Sequence, residues 1–149
     1  MEVLASGNGG VLSNEIFCLN FRIELARTSG LMERTIVIGD VHGCADELGD
    51  LLDRLQVKDR DRIIQAGDLI NRGPDSSRCV RMAQAHGFEM VFGNHELRLL
   101  KARQSGDISA LKAYDYGTLA ELTDGDWAFL QQARPYCHLA QYQAVVVHG

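Results

Sequence analysis

Gly39-Asp40-Val41-His42-Gly43, Gly67-Asp68-Leu69-Ile70-Asn71-Arg72-Gly73 and Gly93-Asn94-His95-Glu96 each follow an apolar run, and the intervals between them decide the fold. Asp68 lies 28 residues after Asp40, and Asn94 lies 26 after Asp68. One strand-helix-strand unit consumes ~30 residues. Right-handed crossovers set successive parallel strands side by side, and the loops at their carboxyl ends open on one crevice. The three strings are therefore expected to converge in space.

The residues around them agree. Thr35-Ile36-Val37-Ile38 is a short β-branched run, as expected of a buried parallel strand. Leu48, Leu51, Leu52 and Leu55 recur at i, i+3, i+4 and i+7, the apolar face of a helix over Asp46 to Gln56. Arg62 to Ala66 reads as a second strand, and Pro74-Asp75-Ser76-Ser77 as a helix start whose end is marked by Gly87. Phe88 to Phe92 reads as a third strand, followed by a helix to about Gln104. Ser105 to Thr118 is weakly patterned, and Asp124 to Ala133 suggests a short helix capped by Thr123 or Asp124. Tyr136 to Leu139 and Ala144 to Val147 are strand-like, the second ending in His148-Gly149.

The ligand types fix a chemistry before any family is considered. Carboxylates, imidazoles and a carboxamide form a hard-to-intermediate donor set, suited to divalent manganese, iron or zinc rather than to thiolate-seeking metals. Such a set points to metal-activated water.

From about Arg34 to Gly149 the chain resembles the calcineurin-like metallophosphoesterases, and within them the phosphoprotein phosphatase branch, especially its small bacterial serine/threonine phosphatases. The strings Gly-Asp-x-His-Gly, Gly-Asp-x-x-x-Arg-Gly and Gly-Asn-His-Glu, then a strand ending in His-Gly, occur here in the family's order. The resemblance implies an α/β fold, a β-sandwich flanked by helices (α/β/β/α), of which this chain would hold the N-terminal βαβαβ half and the start of the second half. It implies two divalent ions as cofactors, manganese before iron or zinc. Asp40 and His42 would hold the first, Asp68 would bridge both, and Asn94 and His148 would hold the second. A carboxylate has two oxygens and can span ions ~3.5–4 Å apart. Arg72 matches the arginine that grips the phosphate, with Asn94 and His95 facing it. His95 matches the general acid, and an imidazole with an ordinary pKa of about 6.5 suits that task at neutral pH.

Plainer roles exist beside these. Asn94 and His95 also suit a helix start, Glu96 is expected to support the site, His86 and His138 fall outside the strings, and Trp127 and the leucines are core candidates. Cys44 follows the first string and is read as a small buried side chain. Two departures from the family matter. Asn71 stands where many eukaryotic protein phosphatases carry the aspartate that supports the general-acid histidine. In this the chain is more similar to bacterial members and to symmetrical diadenosine tetraphosphate hydrolases. The family also usually continues past the His148 strand, supplying another histidine ligand and a second phosphate-binding arginine, so residues 34–149 are expected to form an incomplete catalytic domain. Residues 1–33 fall outside the resemblance and are expected to be a loosely ordered extension or a misassigned start, with a strand from Ile16 to Ile23 as the competing view.

Composition sets the outer limits. The 149 residues are 46% hydrophobic and 23% charged, with net charge −5 and four cysteines that form no C-x-x-C pair. No basic run favours nucleic acid, and no apolar stretch is long enough to span a membrane. A cytoplasmic location is expected. The sequence thus favours a metal-dependent phosphoesterase that attacks phosphomonoesters through a metal-bridging hydroxide, of the serine/threonine protein phosphatase type. Its partners would be a phosphorylated protein, a small phosphate ester or a nucleotide. The alternatives are a symmetrical bis(5'-nucleosyl)-tetraphosphate hydrolase and an inactive metal-binding remnant.

Overall fold

β1 (Thr35–Ile38), β2 (Arg62–Gln65) and β3 (Glu89–Met90) are parallel and lie in the order β1-β2-β3. The computed structural model describes residues 34–149, so the expectations for residues 1–33 lie outside the described residues. Register pairs Ile36 with Ile63, Val37 with Ile64, and Gln65 with Met90. Side chains alternate across a strand, and both faces of this sheet are covered. Ile36, Ile38, Ile63 and Met90 pack with Leu48, Leu52, Val80, Leu99, Trp127 and Leu130 in the main core. Val37, Ile64 and Val91 pack on the opposite side with Cys137, Leu139 and Val146. Burial on both faces explains why these strands read as nearly continuous apolar runs.

The helices follow the first two strings as expected. α1 (Ala45–Leu55) buries Leu48 and Leu52 and stops at Gln56, whose φ of 48° reverses the chain. α2 (Ser76–Ala85) starts at Asp75, whose carboxylate accepts from the Arg78 N–H at 2.8 Å. α3 (Asn94–Ser105) follows the third string directly and ends at Gly106 in the left-handed region. α4 (Ala113–Glu121) and α5 (Asp124–Leu130) then pack against α2. β4 (Cys137–Leu139) and β5 (Ala144–Val146) form an antiparallel hairpin joined by one 3-10 turn, Ala140–Tyr142. Helices, parallel sheet and hairpin make three layers of an α/β fold.

Two elements differ from expectation. The third strand is two residues long rather than five: the Val91 N–H still donates to the Gln65 carbonyl of β2 at 2.9 Å, but from there the partner is Arg134. Val91 forms a lone bridge with Arg134, and the Phe92 N–H donates to the Arg134 carbonyl at 2.9 Å. α4 occupies a stretch that showed no pattern. Its buried positions are Asp115 and Thr118, so its inward face is polar and leaves no apolar periodicity to read.

Two ion pairs tie strand ends to their surroundings. Arg34 donates Nε to Asp61 Oδ1 at 3.0 Å and also bonds Oδ2, while Arg62 donates to both oxygens of Glu89 at 2.6 and 2.9 Å. The Arg34 guanidinium holds the Asp61 carboxyl below the usual range, and Arg62 does the same to Glu89. A depressed folded-state pKa contributes stability above the unfolded value of about 4 and loses it as pH falls through the lower folded values. Denaturant titrations should therefore show stability falling from about pH 4 downward. Asp61→Asn should lower stability at neutral pH by about 1 kcal/mol or more and flatten part of the acid slope. An unchanged slope would show that the pair carries no such linkage.

Candidate metal centre

The loops after β1 and β2 are laced together through their backbones. Val41 and His42 both donate N–H to the Asp68 carbonyl at 3.0 and 2.9 Å, and Gly43 donates to Leu69 at 2.9 Å. Gln65, buried at the end of β2, donates its Nε2 to the carbonyls of Gly39 and Gly67, each at 2.8 Å. The Glu96 carboxylate, fully buried on the first turn of α3, accepts from the N–H groups of Asp68 and Leu69 at 2.9 Å, Gly93 at 3.0 Å and Ile70 at 3.3 Å. Burial, then the neighbouring Asp68 carboxylate, push the Glu96 carboxyl up, against the pull of those N–H groups. Within this frame His42, Asp68, Asn71 and Arg72 all have positive φ, between 50° and 73°. Left-handed backbone at four non-glycine residues is costly, and such strain concentrates at functional sites.

The side chains converge on one atom. Asp68 Oδ2 lies 3.8 Å from His42 Nε2, 3.5 Å from His148 Nε2 and 3.9 Å from His95 Nε2. Asp40 Oδ2 is 3.6 Å from His42 Nε2, Asp40 Oδ1 is 3.8 Å from His148 Nδ1, and Asn94 Oδ1 is 3.2 Å from His148 Nε2. Two groups are tight enough to hold an ion, His42-Asp68-His95 and Asp40-Asp68-His148, with ligand atoms within 4.8 Å of one another. Asp68 is common to both. Asp68 Oδ1 also accepts from the His95 backbone N–H at 3.0 Å, which fixes the orientation of the carboxylate that both groups share.

Hydrogen-bond polarity shows that the donor set suits cations. His42 Nδ1 meets the Ile70 carbonyl at 3.4 Å and His148 Nδ1 meets the Ala66 carbonyl at 3.1 Å. Carbonyls only accept, so His42 carries its hydrogen on Nδ1 and turns an Nε2 lone pair inward, while His148 meets an acceptor oxygen at each nitrogen, the second being Asn94 Oδ1 at 3.2 Å from Nε2. These Nε2 atoms lie beside carboxylate and carboxamide oxygens, an arrangement that a divalent cation satisfies. Arg72, at the mouth, donates Nη1 to His42 Nε2 at 3.1 Å.

His95 is built differently. It is fully buried, edge-on to His42 with ring centroids 4.8 Å apart and stacked on Tyr114 at 5.6 Å. Its Nε2 has no protein partner. Burial pushes its pKa down to about 4, opposed by the Asp68 carboxylate, so the expectation of an ordinary imidazole is corrected by its enclosure. Arg98 Nη2 lies 3.3 Å from His95 Nδ1 and also bonds Asp115, and Asn71 Nδ2 donates to the same Asp115 at 2.9 Å. Asn71 thus supports His95 only at a distance, and Arg98 takes the adjacent place.

The seven expected residues, Asp40, His42, Asp68, Arg72, Asn94, His95 and His148, are brought to one place by the ends of β1, β2, β3 and β5. His86 and His138 are exposed and outside it. Cys44 is half-buried, its thiol 3.9 Å from the His42 carbonyl. Arg98, Tyr114 and Asp115 were missed because two of them lie on α4. The one local signal was Lys112-x-x-Asp115, in which the Asp115 carboxylate accepts from the Lys112 N–H at 2.7 Å across the helix start.

Comparison with known proteins agrees with the geometry. A family model described as calcineurin-like phosphoesterase matches residues 33–146. The chain is similar to the symmetrical bis(5'-nucleosyl)-tetraphosphatase of Chromohalobacter salexigens, 43% identical over 95 residues, which are 62% of this chain and 34% of that protein. The protein of the same name from Coxiella burnetii (strain Dugway 5J108-111) is 35% identical over 121 residues, 77% of this chain and 41% of that one. Serine/threonine-protein phosphatase 1 of Salmonella typhimurium is 34% identical over 112 residues, 74% of this chain and 46% of that one. This chain therefore spans less than half the length of these curated relatives. A crystal structure provisionally described as a diadenosine tetraphosphatase superposes with a TM-score of 0.69 at 28% identity, covering 88% of this chain and 55% of that one.

Close approach explains why the third string needs glycine. A Cβ on Gly93 would lie 2.1 Å from Asp68 Oδ1 and 2.3 Å from the Asp68 nitrogen. Gly93→Ala must displace the Asp68 turn, and overpacking of this kind costs about 1–3 kcal/mol. Thermal melts should show that loss. Gly125→Ala, whose Cβ would meet only the Thr123 hydroxyl at 3.7 Å, should not, and equal melts for the two variants would contradict so close a packing of Gly93 on the Asp68 turn.

Proposed function

This chain belongs to the calcineurin-like phosphoesterase family, and from that premise we propose that it carries the metal-binding site of an enzyme that hydrolyses dinucleoside tetraphosphates at the central anhydride. The observation that carries the site reading is the convergence of three imidazole nitrogens on Asp68 Oδ2. The substrate class is supported by the names of the similar bacterial proteins.

On this reading Asp40, His42 and Asp68 hold one divalent ion, and Asp68, Asn94 and His148 hold the other, with manganese ahead of iron or zinc. Bound there, the ions supply an activated water and neutralise phosphate charge. The chain does the rest. Arg72 presents a planar, five-donor guanidinium to the phosphate oxygens, and Asn94 and His95 border the same position. As the water oxygen bonds to phosphorus, the bond from that phosphorus to the bridging oxygen breaks. His95 Nε2–H donates to the departing oxygen, and two nucleoside diphosphates result. Residues 34–149 would form an incomplete catalytic domain that carries these residues. A cytoplasmic location fits this substrate; among the described residues no helix is long and apolar enough to cross a membrane.

A second reading, serine/threonine phosphoprotein hydrolysis, is favoured by the similarity to the Salmonella phosphatase. Manganese-dependent turnover of diadenosine tetraphosphate and of a phosphoserine peptide separates the two. The tetraphosphate should be the better substrate, Asp68→Asn should reduce turnover to background, and His95→Ala should lower kcat by about 10²–10⁴-fold. Preference for the peptide would move the assignment to the second reading. Background rates for wild type and His95→Ala alike, on these substrates and on p-nitrophenyl phosphate, would leave an inactive metal-binding remnant.

A further inference from the structure

His95 Nε2 lies in one of the two tight groups of candidate ligand atoms, so position alone allows it either to bind an ion or to donate a hydrogen. The other side of the ring decides. Arg98 Nη2 is 3.3 Å from His95 Nδ1, and a guanidinium offers only hydrogens. Nδ1 must therefore accept, which puts the ring's single hydrogen on Nε2, the buried nitrogen that has no protein partner. His42 shows the reverse, since its Nδ1 faces a carbonyl and its Nε2 accepts from Arg72.

Arg98 is fixed in this role by a buried partner. Its Nε donates to Asp115 Oδ2 at 2.8 Å and its Nη2 to Oδ1 at 3.0 Å, and the Asp115 side chain is fully buried. Asn71 Nδ2 and the Lys112 N–H donate to the same carboxylate at 2.9 and 2.7 Å. Tyr114 stacks on His95 and lies under Arg98 at 5.7 Å, so the arginine cannot slide off the ring without disturbing α4.

We propose that Arg98, held by Asp115, is a positioning residue that keeps the hydrogen of His95 on Nε2, making His95 a donor to the departing oxygen and barring it from the metal ligand set. This rests on the phosphoesterase reading above. The pair works through His95 and touches no reacting atom.

Long-range proton–nitrogen correlation spectra of the ¹⁵N-labelled chain test it without turnover. In wild type, His95 should show a lone-pair Nδ1 and a hydrogen-bearing Nε2, with His42 reversed. Zinc ions added alone should perturb Nε2 of His42 and His148 and leave that of His95 protonated. In Arg98→Met the His95 ring should become a mixture of both forms, and zinc should then reach its Nε2. Arg98→Lys, which can still donate to Nδ1, should restore much of the wild-type pattern. Where turnover is measurable, Arg98→Met should lower kcat about 10–100-fold with KM little changed.

A hydrogen on Nδ1 of His95 in wild type, which needs no variant to observe, overturns the inference. So does a wild-type pattern in a folded Arg98→Met. Zinc that perturbs neither His42 nor His148 would instead overturn the metal site and the functional reading with it, so the two failures are distinguishable.

Discussion

The Glu96 carboxylate accepts hydrogen bonds from four backbone N–H groups, three in the loop after β2 and one at the start of α3. Burying a carboxylate is expensive unless its oxygens are satisfied, and here the satisfaction comes wholly from main chain. That makes the contact a clamp. Asp68 can hold a left-handed φ of 55° because its own N–H and those of the next two residues are fixed to one rigid side chain, and the strain of the turn is offset by these bonds. Loosening the clamp would let Asp68 Oδ2 leave the place where His42, His95 and His148 meet it. Gly93 is part of the same arrangement, since its missing Cβ is what lets the third loop lie against the Asp68 turn.

A second constraint acts on polarity rather than position. The three imidazoles around Asp68 differ in what stands behind each ring: the Ile70 carbonyl for His42, the Ala66 carbonyl for His148, and the Arg98 guanidinium for His95. His42 is turned into a lone-pair donor and His95 into a hydrogen donor by groups outside the site. Such outer contacts fix ring orientation and tautomer. On the proposed reading they let one small crevice hold ligands and a proton donor without the two exchanging roles.

Legibility from sequence followed the kind of force involved. α1 was readable from its apolar period, β1 from its β-branched run and α2 from its start and stop residues, and the three strings were placed together because crossover spacing brings the ends of β1, β2 and β3 to one edge. α4 was not readable, since it buries Asp115 and Thr118, and polar burial has no period. The support for His95 was missed for the same reason. Asn71 signalled that the usual carboxylate was absent, but its replacement comes from Arg98, three residues past His95, and Asp115, 17 residues beyond Arg98.

The chemistry of His95 bears on the choice between the two substrate classes. An enclosed ring that accepts from Arg98 at Nδ1 and is pushed by burial to a pKa of about 4 is a neutral hydrogen-bond donor near pH 7. It is a weak acid compared with an imidazolium. An alkoxide leaving a phosphoserine is strongly basic and needs a full proton as the bond breaks. A nucleoside diphosphate leaving an anhydride spreads its charge over phosphate oxygens, so a directed N–H and nearby cations can suffice. On the proposed reading, a guanidinium set against the histidine suits the second kind of leaving group.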